Sequence, residues 1–394
     1  MPGDPIVIAG YARTPMGGFQ GALAGATATQ LGAAAVAAAV ARAGLDPARV
    51  DRIYMGCVLP AGLGQAPARQ AALAAGLPRS VEATTVNKMC GSGMQAAIMA
   101  ADALDAGAAD VVVAGGMESM TNAPFLLPKH RSGARIGHDR VVDSMMMDGL
   151  EDAYEPGRPM GAFAEDTARA YGFTREEQDA YALRSLARAR AAIADGAFEQ
   201  EIVPVEIATR AGVVRVAIDE QPGKARPEKV PALKPAFAQD GTITAASSAS
   251  ISDGAAALVM TRESVAVRLG LPVLARVVAR GGYAHAPAQF ATAPVPALRK
   301  VIERAGWTVG DVDLFEVNEA FAVVPMIAMR ELGIPAERMN VNGGATALGH
   351  PIGASGARIV ATLLGALAAR EARRGVAGIC IGGGEATALA LERA

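Results

Sequence analysis

The chain carries a copy of part of itself, and no other feature restricts its possible folds as much. Arg42-Ala43-Gly44 followed by Val50-Asp51, in the stretch from Ala39 to Gly56, recurs as Arg304-Ala305-Gly306 followed by Val312-Asp313, in the stretch from Val301 to Asn318, in one register without a gap. Farther along, Gly91-Ser92-Gly93 before an apolar run corresponds to Ala354-Ser355-Gly356 before another, and Val113-Ala114-Gly115-Gly116 to Ile381-Gly382-Gly383-Gly384. A single duplication predicts two packed copies of one unit rather than a solenoid. In the first copy, Ile6-Val7-Ile8-Ala9 reads as a buried strand ended by Gly10, and Thr29 precedes a helix from Gln30 to Arg42 closed by Gly44. A strand at Val50 to Gly56, a helix from Ala66 to Ala75 and strands at Val81 to Val86 and Val111 to Ala114 follow, the last ending at Gly115-Gly116. This alternation predicts an α/β fold with a sheet covered by helices. The chain's 394 residues exceed what one core organises, so two or three domains are expected, and with only 4% aromatic residues their cores must be built from Ala, Val, Leu and Met.

Between the copies, Met120 to Ala249 is rich in charge, proline and methionine. Thr121 to His138 is polar and basic, a long excursion from any core. Thr174 is expected to cap a helix from Arg175 to Asp195, with Glu176 and Glu177 at the positive dipole end and Gly196 as its stop. Ile202 to Ile207 and Val213 to Ile218 suggest a small sheet, and Gln221 to Pro235 a loop rich in proline and lysine. Such an insertion is either a cap over an active site or a solvated structural addition.

A formal charge of -2 carries no basic excess of the kind nucleic-acid binding needs, though it is compatible with a local basic groove for a phosphorylated cofactor. Three cysteines argue against a disulfide framework and for a reducing compartment, the cytoplasm. Met1-Pro2-Gly3-Asp4-Pro5 lacks the features of a signal peptide, and runs such as Gly32 to Ala41 are too short for a bilayer, so no membrane association is expected.

Chemistry concentrates in four stretches. Val86-Asn87-Lys88-Met89-Cys90-Gly91-Ser92-Gly93-Met94 sets a cysteine between a strand-like segment and a helix start, where unpaired N–H groups and the helix dipole are expected to lower a thiol's pKa. The plain alternative is a small buried hydrophobe, which is how Cys57 is read. Glu316-Val317-Asn318-Glu319-Ala320-Phe321 ends a strand with two carboxylates around an amide. His350 stands at a glycine-rich turn ahead of a helix, and Ile379-Cys380-Ile381-Gly382-Gly383-Gly384 ends a strand in glycines suited to close backbone approach. A lone histidine is commonly just packed or solvated, but this one lies near the repeat position of Cys90, so the two units could bring them together as a Cys-His pair.

Together, the Cys90 turn, Asn318-Glu319-Ala320-Phe321, Gly349-His350-Pro351 and Cys380-Ile381-Gly382-Gly383-Gly384 resemble the thiolase family of acetyl-CoA C-acyltransferases, over nearly the whole chain. The resemblance implies a five-layered α/β/α/β/α core from two duplicated halves with an inserted loop domain. Residues 1–120 with 250–270 would form one half, 271–394 the other, and 121–249 the loop domain that binds coenzyme A. It also implies a homodimer or homotetramer, coenzyme A and acyl-CoA as substrates, and no permanently bound cofactor or metal. By the same resemblance Cys90 becomes acylated, His350 activates it, and Cys380 carries the α-proton. Asn318 holds a water that stabilises the enolate oxygen together with His350, and the N–H groups of Cys90 and Gly382 form a second oxyanion hole. Met160, Lys224, Arg226, Ser248, Ser250 and Phe321 are the expected coenzyme A contacts.

Departures from the family pattern bear on the substrate. Pro159 precedes Met160 where many biosynthetic members have histidine, and Ala245-Ala246-Ser247-Ser248-Ala249-Ser250-Ile251 replaces an Ala-Gly-Asn-Ala-Ser-Gly-Ile string. Gly223 stands in place of an arginine, with Lys224 and Arg226 as substitutes, and Glu385-Ala386-Thr387 follows the triple glycine. Among rivals, a ketoacyl synthase needs no second cysteine, so Cys380 argues against it. A non-catalytic acyl-CoA or lipid-binding protein on the same fold could lose any of Cys90, Asn318, His350 and Cys380, and all are present. A nicotinamide dehydrogenase would need a Gly-x-Gly-x-x-Gly turn after the first strand, which is missing.

Overall fold

The computed structural model describes residues 3–394. Its main sheet has ten strands, and their order displays the duplication. Glu82–Val86, Arg52–Gly56, Val111–Ser119, Ser252–Arg262 and Ile6–Arg13 lie side by side, followed by Ala275–Ala284, Glu385–Arg393, Arg374–Ile381 and Leu314–Val317; the two-residue strand Gly17–Gly18 pairs with Ser252–Arg262 off this path. The second set therefore repeats the first in reverse order, and the halves meet where Val7 and Ile8 pair antiparallel with Arg276 and Ala275. Arg52–Gly56 runs parallel to both its neighbours, and its counterpart Leu314–Val317 runs parallel to Arg374–Ile381.

Helices sort into layers because the strands bury both faces. Along Ile6–Arg13, Val7 and Ala9 enter the apolar cluster shared with helices Ala28–Arg42 and Pro67–Ala74. Ile6 and Ile8 enter the cluster shared with Ser92–Asp105 and Ser355–Ala369, as the period-2 alternation of a strand requires. Helices Pro294–Arg304 and Val323–Leu332 cover the other half's outer face. The result is helix, one half of the sheet, paired central helices, the other half of the sheet, helix. The central pair packs closely: a Cβ on Gly93 would stand 2.8 Å from the Ala357 nitrogen.

Several local expectations are corrected. The first helix starts at Ala28, because Thr27 rather than Thr29 forms the capping box with Gln30. Strand Ile6–Arg13 runs through Gly10, and Val111–Ser119 runs through Gly115-Gly116. Glycine serves there as a thin place in a strand: a Cβ on Gly10 would lie 2.8 Å from the Ala43 Cβ. The small sheet is Val205–Thr209 paired with Gly212–Val216, and the 221–235 stretch contains helical turns at Glu220–Lys224 and Pro227–Ala232. Helix Arg175–Ala194 has the expected Thr174 cap, completed by Glu177.

Buried polar groups fasten the middle segment to the core. Arg13 on the first strand is fully buried and pairs with Glu201 at 2.7 Å and Asp219 at 2.7 Å. Glu319 accepts hydrogen bonds from Tyr181 (2.9 Å) and Ser185 (2.7 Å) of helix Arg175–Ala194. Phe163, Ala164 and Ala168 of helix Met160–Tyr171 join the apolar cluster of the second half. Among the described residues, no helix is long and apolar enough to cross a membrane.

Candidate active site

Cys90 sits in a tight turn between strand Glu82–Val86 and helix Ser92–Asp105. Met89 just before it has φ of +46°, in the left-handed region. The turn is held by Ser92, whose Oγ donates to the Met89 carbonyl (2.6 Å) and accepts from the Lys88 N–H (2.8 Å). From the other half, strand Arg374–Ile381 delivers Cys380 near its end. Gly383 and Gly384 then turn the chain at φ of +95° and +85°, which only glycine adopts readily. The Gly382 and Cys90 backbone N–H groups both pull the Cys90 thiol pKa down.

His350 belongs to the turn ahead of helix Ser355–Ala369. Its Nδ1 lies 2.6 Å from Ser355 Oγ, and that hydroxyl donates to the Pro351 carbonyl (3.0 Å). Ser355 Oγ therefore accepts from Nδ1–H, which leaves Nε2 as the lone-pair nitrogen. Nε2 is buried without a hydrogen-bond partner among the described residues.

Cys90, His350, Cys380 and Gly382 line one narrow pocket of about 80 Å³, walled by Met160, Phe290, Phe321 and Ile352. A second cavity, of about 340 Å³, is bordered by Lys224, Arg226, Lys229, Ser248 and Thr346, and Ser250 lines both. Lys224 is ion-paired with Glu220. Asn318 lies outside the pocket lining: it is buried, its Oδ1 accepts from Arg358 at 3.4 Å, and its Nδ2 has no partner among the described residues.

The electrostatics overturn one expectation. Burial pushes the Cys90 thiol up to about 11, outweighing the pull of the two N–H groups, and the charge of Glu118 adds to the rise. The helix N-terminus does not produce a resting thiolate, because desolvation exceeds what two N–H dipoles return. Burial, helped by Arg358, holds His350 down to about 3, and Cys380 is raised well above the ordinary thiol range by burial and by Cys90. These shifts all favour the neutral forms of the two thiols and the imidazole.

Two residues escape a reading of the sequence alone. Ser355 shows there only as the repeat mate of Ser92, with no sign that it orients His350. Glu118, fully buried at the end of strand Val111–Ser119, leaves a signal: an acid closing a run of Val, Ala, Gly and Met. Cys57 is buried, with its Sγ donating to Glu118 at 3.7 Å.

Residues 6–264 match the family described as Thiolase, N-terminal domain, and residues 271–393 the one described as Thiolase, C-terminal domain. Acetyl-CoA acetyltransferase 2 of Arabidopsis thaliana is 52% identical over 390 residues, 98% of this chain and 96% of that protein. The Bacillus anthracis acetyl-CoA acetyltransferase superposes with a TM-score of 0.96 at 40% identity, over 100% of this chain and 99% of its own. The Acat5 thiolase from Ascaris suum in complex with coenzyme A does so with 0.93 at 41%, over 99% and 100%. With both domains matched in tandem and full-length relatives at this identity, the chain belongs to the thiolase family.

Proposed function

We propose that this protein transfers acyl groups between 3-ketoacyl-CoA and coenzyme A, or joins two acetyl-CoA into acetoacetyl-CoA, through an acyl-Cys90 intermediate. The observation that carries the reading is the meeting of two thiols and an imidazole in one pocket that Gly382 also lines. Nε2 of His350 takes the Cys90 proton as the sulfur attacks the thioester carbonyl. The N–H groups of Cys90 and Gly382 hold the oxyanion. Departing coenzyme A thiolate takes its proton from Cys380, which leaves Cys380 as the base for the α-proton of the second acyl-CoA. The imidazolium of His350 and a water on Asn318 Nδ2 steady the enolate oxygen. The enolate carbon attacks the acyl carbon, Cys90 leaves as thiolate, and His350 returns its proton.

The larger cavity suits coenzyme A, with Arg226, Lys229 and Lys224 for phosphates and Ser248 and Ser250 along the pantetheine; Met160 and Phe321 border its reactive end. On this reading 121–249 is the loop domain set on two core halves, 1–120 with 250–270 and 271–394. Exposed Phe125, Ile136 and Val141 in that segment support a homodimer or homotetramer, and three free cysteines fit the cytoplasm.

Incubation with labelled acetyl-CoA should put acetyl on Cys90 by peptide mass spectrometry, and label elsewhere, or none, sinks the reading. Steady-state thiolysis of a 3-ketoacyl-CoA series sets the chain length. Charge reversal at Lys224 and Arg226 should raise KM for acyl-CoA far more than it changes kcat; an unchanged KM at low salt moves the phosphate site elsewhere.

A further inference from the structure

Glu118 is a buried acid that the acyl-transfer cycle does not use. Its Oε2 accepts from the Val58 N–H (2.9 Å) and the Gly353 N–H (2.9 Å), and its Oε1 from the Leu59 N–H (3.1 Å) and the Cys57 thiol (3.7 Å). These donors come from two segments far apart in the chain, one in each copy of the duplicated unit. The first follows strand Arg52–Gly56. The second is the turn that carries His350, and Gly353 stands two residues before Ser355, the partner of His350 Nδ1. Val58 and Leu59 form an apolar cluster with Ile352 from the second segment, and Cys90 packs against it.

We propose that Glu118 is a positioning residue for acyl transfer: its carboxylate clamps the His350 turn onto the segment after Arg52–Gly56, and so fixes His350 Nε2 relative to the Cys90 sulfur. The inference rests on the acyl-Cys90 reading above. The backbone around the clamp is shaped to it. A Cβ on Gly353 would stand 2.6 Å from Glu118 Oε2, and one on Gly56 would stand 2.5 Å from the Gly353 carbonyl oxygen. Three N–H donors converge on the carboxylate against a burial that raises its pKa to about 7. Its charge also raises the Cys90 pKa, so it does not activate the thiol directly and acts through geometry.

Glu118→Gln keeps the shape but turns an amide NH₂ toward one set of donors, so one segment loses its anchor. In stopped acetylation assays at neutral pH, acetyl-Cys90 formation should slow by about tenfold to a hundredfold, the scale of a small misplacement of a reacting group. KM for acetyl-CoA should stay within about twofold, since no coenzyme A contact changes. Alkylation of Cys90 by iodoacetamide at pH 10, where the thiol begins to ionise without His350, should not fall below wild type by more than about twofold, and losing the Glu118 charge can only speed it. Wild-type acetylation in a folded variant overturns the proposal, as does an equal loss in the alkylation rate. If Glu118→Gln does not fold, Glu118→Asp decides by the same measurements: one methylene shorter, it keeps the charge and gives up one anchor. Wild-type protein in parallel separates the two readings, because its failure to form acetyl-Cys90 refutes the acyl-enzyme itself.

Discussion

At the scale of single residues, the neutral state of the Cys90 and His350 pair sets how the site responds to pH. Burial raises the thiol to about 11 and lowers the imidazole to about 3, and both shifts disfavour a thiolate–imidazolium pair before substrate binds. Alkylation of resting Cys90 should therefore rise about tenfold per pH unit through pH 8 to 10, following the thiolate fraction. A rate flat from pH 5 to 8 would show a preformed ion pair instead. Cys380→Ser tests the division of labour between the thiols. Its hydroxyl is a far poorer base near neutral pH, so acetylation of Cys90 should persist while condensation falls by at least about two orders of magnitude. Retained acetoacetyl-CoA turnover would mean another group carries the proton. Glu319 is poorly placed to substitute: Tyr181, Ser185, Asn340 and Thr346 already donate to its carboxylate, which lies outside the pocket lining.

Between elements, two junctions decide how rigidly the site is held. Helix Arg175–Ala194 is tied to the core through Glu319, and Ser185 accepts from the Gly344 N–H (2.9 Å) besides donating to that carboxylate. Tyr181→Phe removes one of several donors to Glu319 and one acceptor of Asn340, whose Nδ2 keeps the Val317 carbonyl and Glu319, and should cost about 1 kcal/mol in denaturant unfolding, whereas Ser185→Ala orphans a buried N–H and should cost about 2 kcal/mol or more. Equal effects would contradict the double role of Ser185. The other junction is the central helix pair. Gly93→Ala drives a methyl toward the Ala357 backbone, and the overpacking should cost about 1–3 kcal/mol. Neutral or higher stability in thermal unfolding would show that the two helices can part without loss.

Across the whole molecule, buried carboxylates make stability depend on pH. Burial pushes Glu316 up to about 8 from an ordinary 4.5, with Arg358 only 3.9 Å away and one carboxylate oxygen without a partner among the described residues. The folded pKa exceeds the unfolded one, so the folded state holds more protons in that window. The group's contribution is complete below about 4.5 and is lost as pH rises toward 8, by at most about 1.4 kcal/mol per pH unit. Glu316→Gln cannot ionise, so its stability relative to wild type should grow between pH 5 and pH 8, read from chemical unfolding at both pH values. A constant difference would place the titration elsewhere. The duplication, the strand-helix alternation and the four motif stretches are local patterns that the sequence by itself determined; it offered Cys90 beside His350 as a possibility, and Cys380 joined them only through the family resemblance. Gly10, Gly115 and Gly116 misled because a glycine that ends a strand and one that lets another segment press close look alike until the neighbour is known: the end of helix Ala28–Arg42 at Gly10, strand Ser252–Arg262 at Gly115, the Gly353 turn at Gly116. Tertiary structure alone decided the rest. The ionisation of Cys90 depends on desolvation by both halves, which no run of residues encodes. The free nitrogen of His350 depends on where Ser355 Oγ sends its own proton, and the place of Glu118 on segments that meet only when the two copies close on each other.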